Sequence, residues 1–213
     1  MNELPFDTAI NSLSPGICHR LKGIPETLKS RVNEIRLRTG KPVCLHTSDQ
    51  LWFLLRSGNV TSNVRPDLYL VTPEDMLESL RMMCDYSLHS HQEDLKNGFI
   101  TIRGGHRAGI CGRLSMDQGQ VLSVQQISSI NLRIARQVFR AADPLVKFFQ
   151  SHLLENTLVV GPPSSGKTTV LRDLARQLSD GVLGKMLKVA LMDERGELAA
   201  SFQGQAQTDV GIS

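Results

Sequence analysis

The sequence predicts an α/β fold in two domains. A small mixed α+β domain is expected over residues 1–142, and a parallel-sheet domain over residues 143–213 that we expect to be incomplete at its C-terminal end. The first part contains short segments of alternating polar and apolar residues, which is typical of half-buried strands. The second part contains two apolar runs, at 158–160 and 189–192, separated by a helical pattern, as in a strand–helix–strand unit of a parallel sheet.

The first domain begins with helices and continues as strands. Residues 7–31 predict one or two short helices that are interrupted where proline and glycine occur. Residues 33–38 alternate in polarity and predict a strand, and residues 43–46 and 51–55 predict two more.

Local signals also place the later elements of this domain. Thr72 and Pro73 predict the start of a helix, because threonine caps free N–H groups and proline fits the first turn. Residues 99–113 predict a β-hairpin with a glycine-rich turn. A second phosphate loop is the alternative, but no helix follows these glycines. Residues 127–136 alternate again and predict the last strand.

The run at 158–160 leads into Gly-x4-Gly-Lys-Thr, the phosphate-binding loop pattern in its strand–turn–helix setting. Gly161 and Gly166 permit backbone angles and close approaches that a Cβ would obstruct. Backbone N–H groups and the positive end of the next helix then form an anion site. We expect Lys167 to reach the β- and γ-phosphates and the Thr168 hydroxyl to bind Mg²⁺. The predicted nucleotide-binding residues are Gly161, Pro162, Pro163, Ser164, Ser165, Gly166, Lys167, Thr168 and Thr169.

The helix after this loop has an apolar stripe that is expected to face the sheet, formed by Val170, Leu171, Leu174 and Leu178. Asp193 and Glu194 follow the second apolar run, at the strand end where catalytic groups of parallel α/β proteins meet their ligands. Two assignments are open. In the first, Asp193 holds Mg²⁺ through water and Glu194 polarises the attacking water. In the second, Glu194 is a catalytic or water-positioning carboxylate, and the strand on the Mg²⁺ side is still to come after Ser213.

Composition argues against several classes of protein. The net charge of +3 is too small to predict nucleic-acid binding by itself. The cysteines contain no Cys-x-x-Cys pair, so reduced thiols are a better interpretation than a zinc site or a disulfide framework. Neither a secretory signal nor a run of membrane-spanning length is visible, so we expect a cytoplasmic protein that reaches a membrane only through partners.

The ordered set of motifs resembles the stage III sporulation protein AA family of endospore-forming bacteria. The motifs that carry the resemblance lie at 33–38, 104–109, 128–136, 161–168 and 193–195. The resemblance implies a P-loop, RecA-like ATPase, similar to the hexameric motors of bacterial secretion and type IV pilus systems. It implies ATP and Mg²⁺ as ligands, a homohexameric ring, and membrane-embedded sporulation channel proteins as partners. It also favours the second assignment of Asp193 and Glu194.

Three functional hypotheses follow. In a motor subunit, Lys167 stabilises the transferred phosphoryl group, Glu194 orients water, and Arg107, Arg133 and Arg136 act in trans across a ring. In a binding or assembly module, ATP is bound but turned over negligibly, and the expected incompleteness of the chain favours this hypothesis. A single-strand nucleic-acid-associated ATPase is the third, although no aromatic-rich basic stripe is visible along the sequence.

Overall fold

The computed structural model describes residues 4–117, 120–151, 155–162, 165–193 and 196–212. Its contacts divide the chain into two compact units, Met1–Ala135 and Arg136–Ser213. The helices are α1 (Pro5–Ile10), α2 (Pro15–Lys22), α3 (Glu26–Lys29), α4 (Pro73–Met83), α5 (Gln92–Lys96), α6 (Asp143–Ser151) and α7 (Lys167–Ser179). The strands are β1 (Glu34–Arg38), β2 (Cys44–His46), β3 (Leu51–Leu54), β4 (Val60–Thr61), β5 (Phe99–Ile102), β6 (His106–Asp117) and β7 (Gln120–Arg133).

The first unit is built on one seven-stranded sheet with the strand order β4-β3-β2-β1-β7-β6-β5. Every strand pair in this sheet is antiparallel. Strands that follow each other in the chain are neighbours in the sheet, except β4 and β5, which lie at opposite edges and are separated in the chain by α4 and α5. The last strand, β7, pairs with β6 on one side and with β1 on the other. The long return strand therefore joins the two halves of the sheet.

One face of the sheet is packed against helices. In β1, Ile35 and Leu37 are fully buried, whereas the residues on either side of them are exposed or half-buried. The buried side chains of α1, α2, α4 and α5 belong to the same apolar cluster as these two residues. The alternation predicted for residues 33–38 thus reflects a sheet with one face in the core.

The helix predicted at Thr72 is confirmed, and its start is fixed by a capping box. The Thr72 Oγ1 accepts a hydrogen bond from the Asp75 N–H at 3.1 Å, and Asp75 Oδ2 accepts one from the Thr72 N–H at 3.1 Å. Asp75 is buried and also accepts hydrogen bonds from Ser14 Oγ at 2.6 Å and the Tyr69 hydroxyl at 3.0 Å. Asp75 therefore also links the start of α4 to Ser14, which precedes α2, and to Tyr69, which precedes α4.

The predicted hairpin is likewise confirmed, as β5 and β6 joined through Gly104 and Gly105. Both glycines have positive φ, of 83° and 72°. A Cβ at Gly104 would lie 2.7 Å from the buried His106 Nε2, so glycine is needed there for space as well as for conformation.

The predicted parallel-sheet, RecA-like domain is contradicted. The seven-stranded sheet is antiparallel and lies in the first unit. Within the described part of the second unit, residues 158–160 and 188–192 form no strand, and the side chains of Leu158 and Met192 are 85% and 96% exposed. A parallel strand needs a hydrogen-bonded neighbour and helices on both of its faces. The described residues of this unit instead supply two helices, α6 and α7, that contact each other.

The buried side of α7 also differs from the prediction. Its buried residues are Asp173, Ala175, Gln177 and Ser179, and Leu171 is 39% exposed. The leucine stripe was expected to face a sheet, and without that sheet the helix packs through its small and polar residues. The predicted domain boundary at 142/143 falls at the start of α6, whereas the division by contacts falls between Ala135 and Arg136.

Candidate phosphate-binding site

The glycine-rich loop leads directly into α7. Gly166 has a φ of +88°, in the left-handed region, and α7 begins at the next residue. A Cβ at Gly161 would lie 2.7 Å from Ser165 Oγ. Both glycines therefore occupy places where a larger residue would have to distort the loop or displace a side chain. Pro163 and Ser164, which belong to the predicted nucleotide-binding set, lie outside the described residues.

The side chain of Lys167 folds back onto the loop. Its Nζ donates hydrogen bonds to the backbone carbonyls of Gly161 at 2.8 Å and Pro162 at 2.7 Å. Both carbonyls are electrically neutral, so these two bonds orient the ammonium group without neutralising its charge. A positive charge is thus held over the loop, beside the first turn of a 13-residue helix whose dipole has the same sign at this end. Thr168 and Thr169 follow in the first turn and are half-buried.

A polar network inside the second unit holds α7 in place. Asp173 is 2% exposed and accepts hydrogen bonds from the Ala142 N–H at 2.9 Å, Arg176 Nη2 at 2.8 Å and Gln177 Nε2 at 2.8 Å. Gln177 Nε2 also donates to Asp143 Oδ1 at 3.0 Å, at the start of α6. Burial alone would raise the pKa of Asp173, but the hydrogen bonds outweigh this effect and hold the pKa below its ordinary value.

The hydrogen-bond network of Asp173 and Gln177 was not predicted from the sequence. The sequence does show that Asp173 and Gln177 lie one turn apart on the helix after the loop, and therefore on the same face of that helix. A carboxylate and an amide on the same helix face are usually interpreted as a solvated surface, and only the packing of α6 shows that they are buried.

Asp193 is bound into the turn that follows it. Its Oδ1 accepts a hydrogen bond from the Glu197 N–H at 2.8 Å, and its Oδ2 accepts from the N–H groups of Leu198 at 2.8 Å and Ala199 at 2.9 Å. Arg172, on α7, donates to the carbonyls of Glu197 at 2.6 Å and Leu198 at 2.7 Å. Burial lowers the pKa of the Arg172 guanidinium, and the negative charge of Asp193 partly opposes this. The carboxylate of Asp193 therefore organises the turn after it, and α7 holds this turn.

Glu194, the predicted water-positioning carboxylate, lies outside the described residues, so its role stays a prediction. The role of Asp193 as an alternative Mg²⁺ ligand also stays a prediction. Among the residues that the structure does describe, no group of three or more His, Cys, Asp or Glu side chains is placed to hold a metal ion.

The structure brings two of the three candidate trans arginines together. Arg107 on β6 and Arg133 on β7 are register partners in the sheet of the first unit. The Arg107 guanidinium carbon lies 3.6 Å from the centre of the Phe99 ring, and Arg133 Nε lies 3.9 Å from Glu34 Oε2. Arg136 begins the second unit, and burial lowers the pKa of its guanidinium. Their action across a ring stays a prediction.

None of the helices in the described ranges combines the length and the apolar character that crossing a lipid bilayer requires.

Comparison with known proteins identifies similar chains. Residues 8–213 match the family model described as Sporulation stage III, protein AA. The chain is 38% identical over 192 residues to the Stage III sporulation protein AA of Bacillus subtilis (strain 168), an alignment that covers 90% of this chain and 58% of that protein. It is also 38% identical over 56 residues to the Transcription termination factor Rho of Mycobacterium leprae (strain TN), covering 26% of this chain and 9% of that protein. No solved structure matches. The chain thus spans about 58% of the length of the first of these relatives.

Proposed function

The chain belongs to the Sporulation stage III, protein AA family, and on this premise we propose that it is an ATP-binding and ATP-hydrolysing motor subunit of a sporulation channel or secretion-type complex. The observation that carries the proposal is the position of Lys167. Its ammonium group lies 2.7–2.8 Å from two carbonyls of the glycine-rich loop, next to the first turn of α7. Three positive features converge there: the ammonium group, the free N–H groups of the first helical turn, and the helix dipole.

The triphosphate of ATP is the ligand that best fits this chemistry. Its oxygens accept hydrogen bonds from backbone N–H groups, and its charge compensates the ammonium group of Lys167. On binding, Lys167 would exchange its bonds to the Gly161 and Pro162 carbonyls for bonds to phosphate oxygens. In the free protein the two carbonyls already restrict the rotamers of Lys167. The lysine therefore loses less conformational entropy when ATP binds.

Mg²⁺ fits the site through Thr168. Mg²⁺ prefers octahedral oxygen coordination and keeps several waters, so one hydroxyl from the protein is sufficient when phosphate oxygens complete the shell. Bound there, the ion would neutralise charge on the β- and γ-phosphates. Asp193 is the weaker candidate as a ligand, because three backbone N–H groups already bind its two oxygens.

For hydrolysis, Lys167 would stabilise the charge that develops on the transferred phosphoryl group, and Glu194 would orient the attacking water. Arg107 and Arg133 would supply positive charge in trans from a neighbouring subunit of a homohexameric ring. In the same proposal the ring acts in the cytoplasm, against membrane-embedded sporulation channel proteins. The pairing of Arg107 with Arg133 on adjacent strands, which places two positive charges side by side, supports this part.

The second candidate is an assembly module that binds ATP and releases it unchanged. The bonding of Asp193 favours this candidate over a motor in which Asp193 itself holds Mg²⁺, because three backbone N–H groups already bind the two oxygens of that carboxylate.

Steady-state ATP hydrolysis with Mg²⁺ separates the two candidates. The measurement compares the chain, a form extended to the length of the family relative, and the Lys167→Ala variant of each. A motor predicts turnover in the extended form that falls about a hundredfold or more in Lys167→Ala. Equal rates with and without Lys167 would contradict the motor, and ATP binding without turnover in both forms would support the assembly module.

A further inference from the structure

The sheet of the first unit has a second face, opposite the face that packs against the helices of this unit. We define this open face by β1, where Glu34, Arg36 and Arg38 alternate with the buried Ile35 and Leu37. Side chains that are paired across antiparallel strands lie on the same face. The strand register therefore places residues of β3, β2, β7, β6 and β5 on the same open face as these residues of β1.

Two complete rows of side chains cross this face. The first row is Phe53, Cys44, Arg36, Asn131, Gly109 and Phe99, and the second is Leu51, His46, Glu34, Arg133, Arg107 and Thr101. Arg38, Ser129 and Cys111 form a shorter third row. With strands about 4.8 Å apart, each complete row is about 24 Å long, and the rows lie about 7 Å apart. Every residue of these rows is exposed or half-buried.

The open face is strongly basic. Among the described residues of the three rows there are four arginines and one acid, a difference of +3, which equals the net charge of the whole chain. The acid, Glu34, accepts a hydrogen bond from Arg36 Nε at 2.5 Å. Burial, and then the positive charge of Arg36, lower the pKa of His46 in the second row. Positive charge that is dilute in the sequence is thus concentrated on one surface.

Aromatic rings stand at both ends of the first row. Phe53 lies on β3 and Phe99 on β5, and the Arg107 guanidinium stacks 3.6 Å from the centre of the Phe99 ring. Between Phe99 and Asn131 the row contains Gly109, and a Cβ built there meets only the Asn131 carbonyl, at 3.9 Å. The row therefore has an open notch beside a stacked ring.

Asn131 borders this notch. Its Oδ1 is buried and has no hydrogen-bond partner among the described residues. A buried polar atom without a partner is unfavourable in the free protein. Because this oxygen is buried, a ligand in the notch would reach it only after the side chain turned outward.

We infer that the open face binds single-stranded nucleic acid. Exposed guanidinium groups at 7 Å spacings suit successive phosphates, and rings and stacked guanidinium planes on a flat sheet suit unpaired bases. The absence of a side chain at Gly109 leaves room for a base beside the Phe99 ring and the Asn131 backbone carbonyl.

The observations behind this inference all lie in the first unit, so it can be tested without ATP binding at Lys167. It shares Arg107 and Arg133 with the proposed function, in which these two arginines act in trans. The test is fluorescence anisotropy of labelled single-stranded RNA and DNA, each about 12 nucleotides long, titrated with the full chain. Nucleotide and Mg²⁺ are left out, so the outcome does not depend on the loop around Lys167. Binding of either strand supports the inference, and the comparison shows which sugar is preferred.

Arg38→Ala tests the contribution of charge. We expect affinity to fall several-fold at low salt, and the slope of log K against log salt to become shallower by about 0.7, the value for one lost phosphate contact on a single strand. Arg81→Ala is the matched control. It removes the same charge from α4, a helix on the covered face, where Arg81 is 53% exposed. We expect the control to change neither affinity nor slope.

Phe99→Leu and Phe99→Trp test stacking. The leucine variant keeps an apolar side chain without a ring, and we expect it to lose about tenfold in affinity. The tryptophan variant keeps the ring and should bind as well as the unchanged protein.

Three results would overturn the inference. One is that neither RNA nor DNA single strands bind at low salt. Another is that duplex DNA binds equally well and that Phe99→Leu has no effect, which would indicate attraction of any polyanion. The third is self-association of the chain in sedimentation that Arg38→Ala abolishes, which would make this face an interface between copies.

Discussion

Three charged side chains define the second unit at the scale of single residues: Lys167, Asp173 and Asp193. Lys167 and Asp193 are held by backbone groups, and Asp173 is held by a backbone N–H together with the side chains of Arg176 and Gln177. Lys167 donates to two carbonyls, Asp193 accepts from three N–H groups, and Asp173 accepts from the Ala142 N–H. Backbone groups do not move independently of the fold, so these charges are positioned as firmly as the segments that carry them.

The buried carboxylate of Asp173 should make stability depend on pH. We expect Asp173→Asn to lower the free energy of unfolding by about 2 kcal/mol at pH 7, because charge-assisted hydrogen bonds are lost. The folded-state pKa of Asp173 is lowered, so its contribution is complete above the ordinary value of 3.8 and is lost as the pH falls through the folded-state pKa. Urea unfolding at pH 7 and at pH values below 3.8 measures the difference between the two proteins.

Asp180→Asn is the control for this prediction. Asp180 is paired with Arg176 Nη1 at 3.1 Å, but 31% of its side chain is exposed. We expect its substitution to change stability by less than about 1 kcal/mol. A loss in Asp173→Asn that is the same at acidic and neutral pH would contradict the account of the buried carboxylate.

At the scale of elements, the sequence predicts best what depends on neighbouring residues. Thr72 and Pro73 predict the start of α4, and the glycines at 104 and 105 predict the hairpin, because caps and turns involve a few adjacent residues. Residues 158–160 and 188–192 have the composition of buried strands, but a strand exists only with a paired neighbour. The rows of the open face could not be predicted from the sequence, because they join residues from six strands and the sequence does not give the register between strands.

The cap of α4 gives a prediction at this scale. Thr72→Ala removes the acceptor for the Asp75 N–H, and we expect it to lower the free energy of unfolding by about 1 kcal/mol. Thr72→Ser keeps the hydroxyl and should retain most of this stability. Thermal and urea unfolding of the three proteins measures the effect, and equal losses in both variants would show that the hydroxyl is not the stabilising group.

The absence of a strand at residues 188–192 gives a second prediction at this scale. Met192 would be a core residue in a buried strand, but it is 96% exposed, whereas Met76 on α4 is 1% exposed. We expect Met192→Ala to change the free energy of unfolding by less than about 0.5 kcal/mol. Met76→Ala, the same chemical change in the core, should lower it by about 2–5 kcal/mol. If Met192→Ala lowered the free energy of unfolding as much as Met76→Ala, Met192 would have to be buried, as the predicted strand requires.

At the scale of the whole molecule, the chain combines two units of different chemistry. The first has a continuous apolar core under an antiparallel sheet whose open face is basic. The second has two helices joined by buried polar groups, with large apolar residues such as Leu158 and Val160 exposed at 85% and 80%.

The central claim is that the loop around Lys167 binds ATP, and titration calorimetry of the folded protein with ATP and Mg²⁺ tests it most directly. The account predicts a saturable heat for about one ATP per chain, lost in Lys167→Ala and retained in Lys185→Ala, which removes an exposed lysine from the same unit. The absence of any binding heat for folded protein, or an unchanged heat in Lys167→Ala, would contradict it.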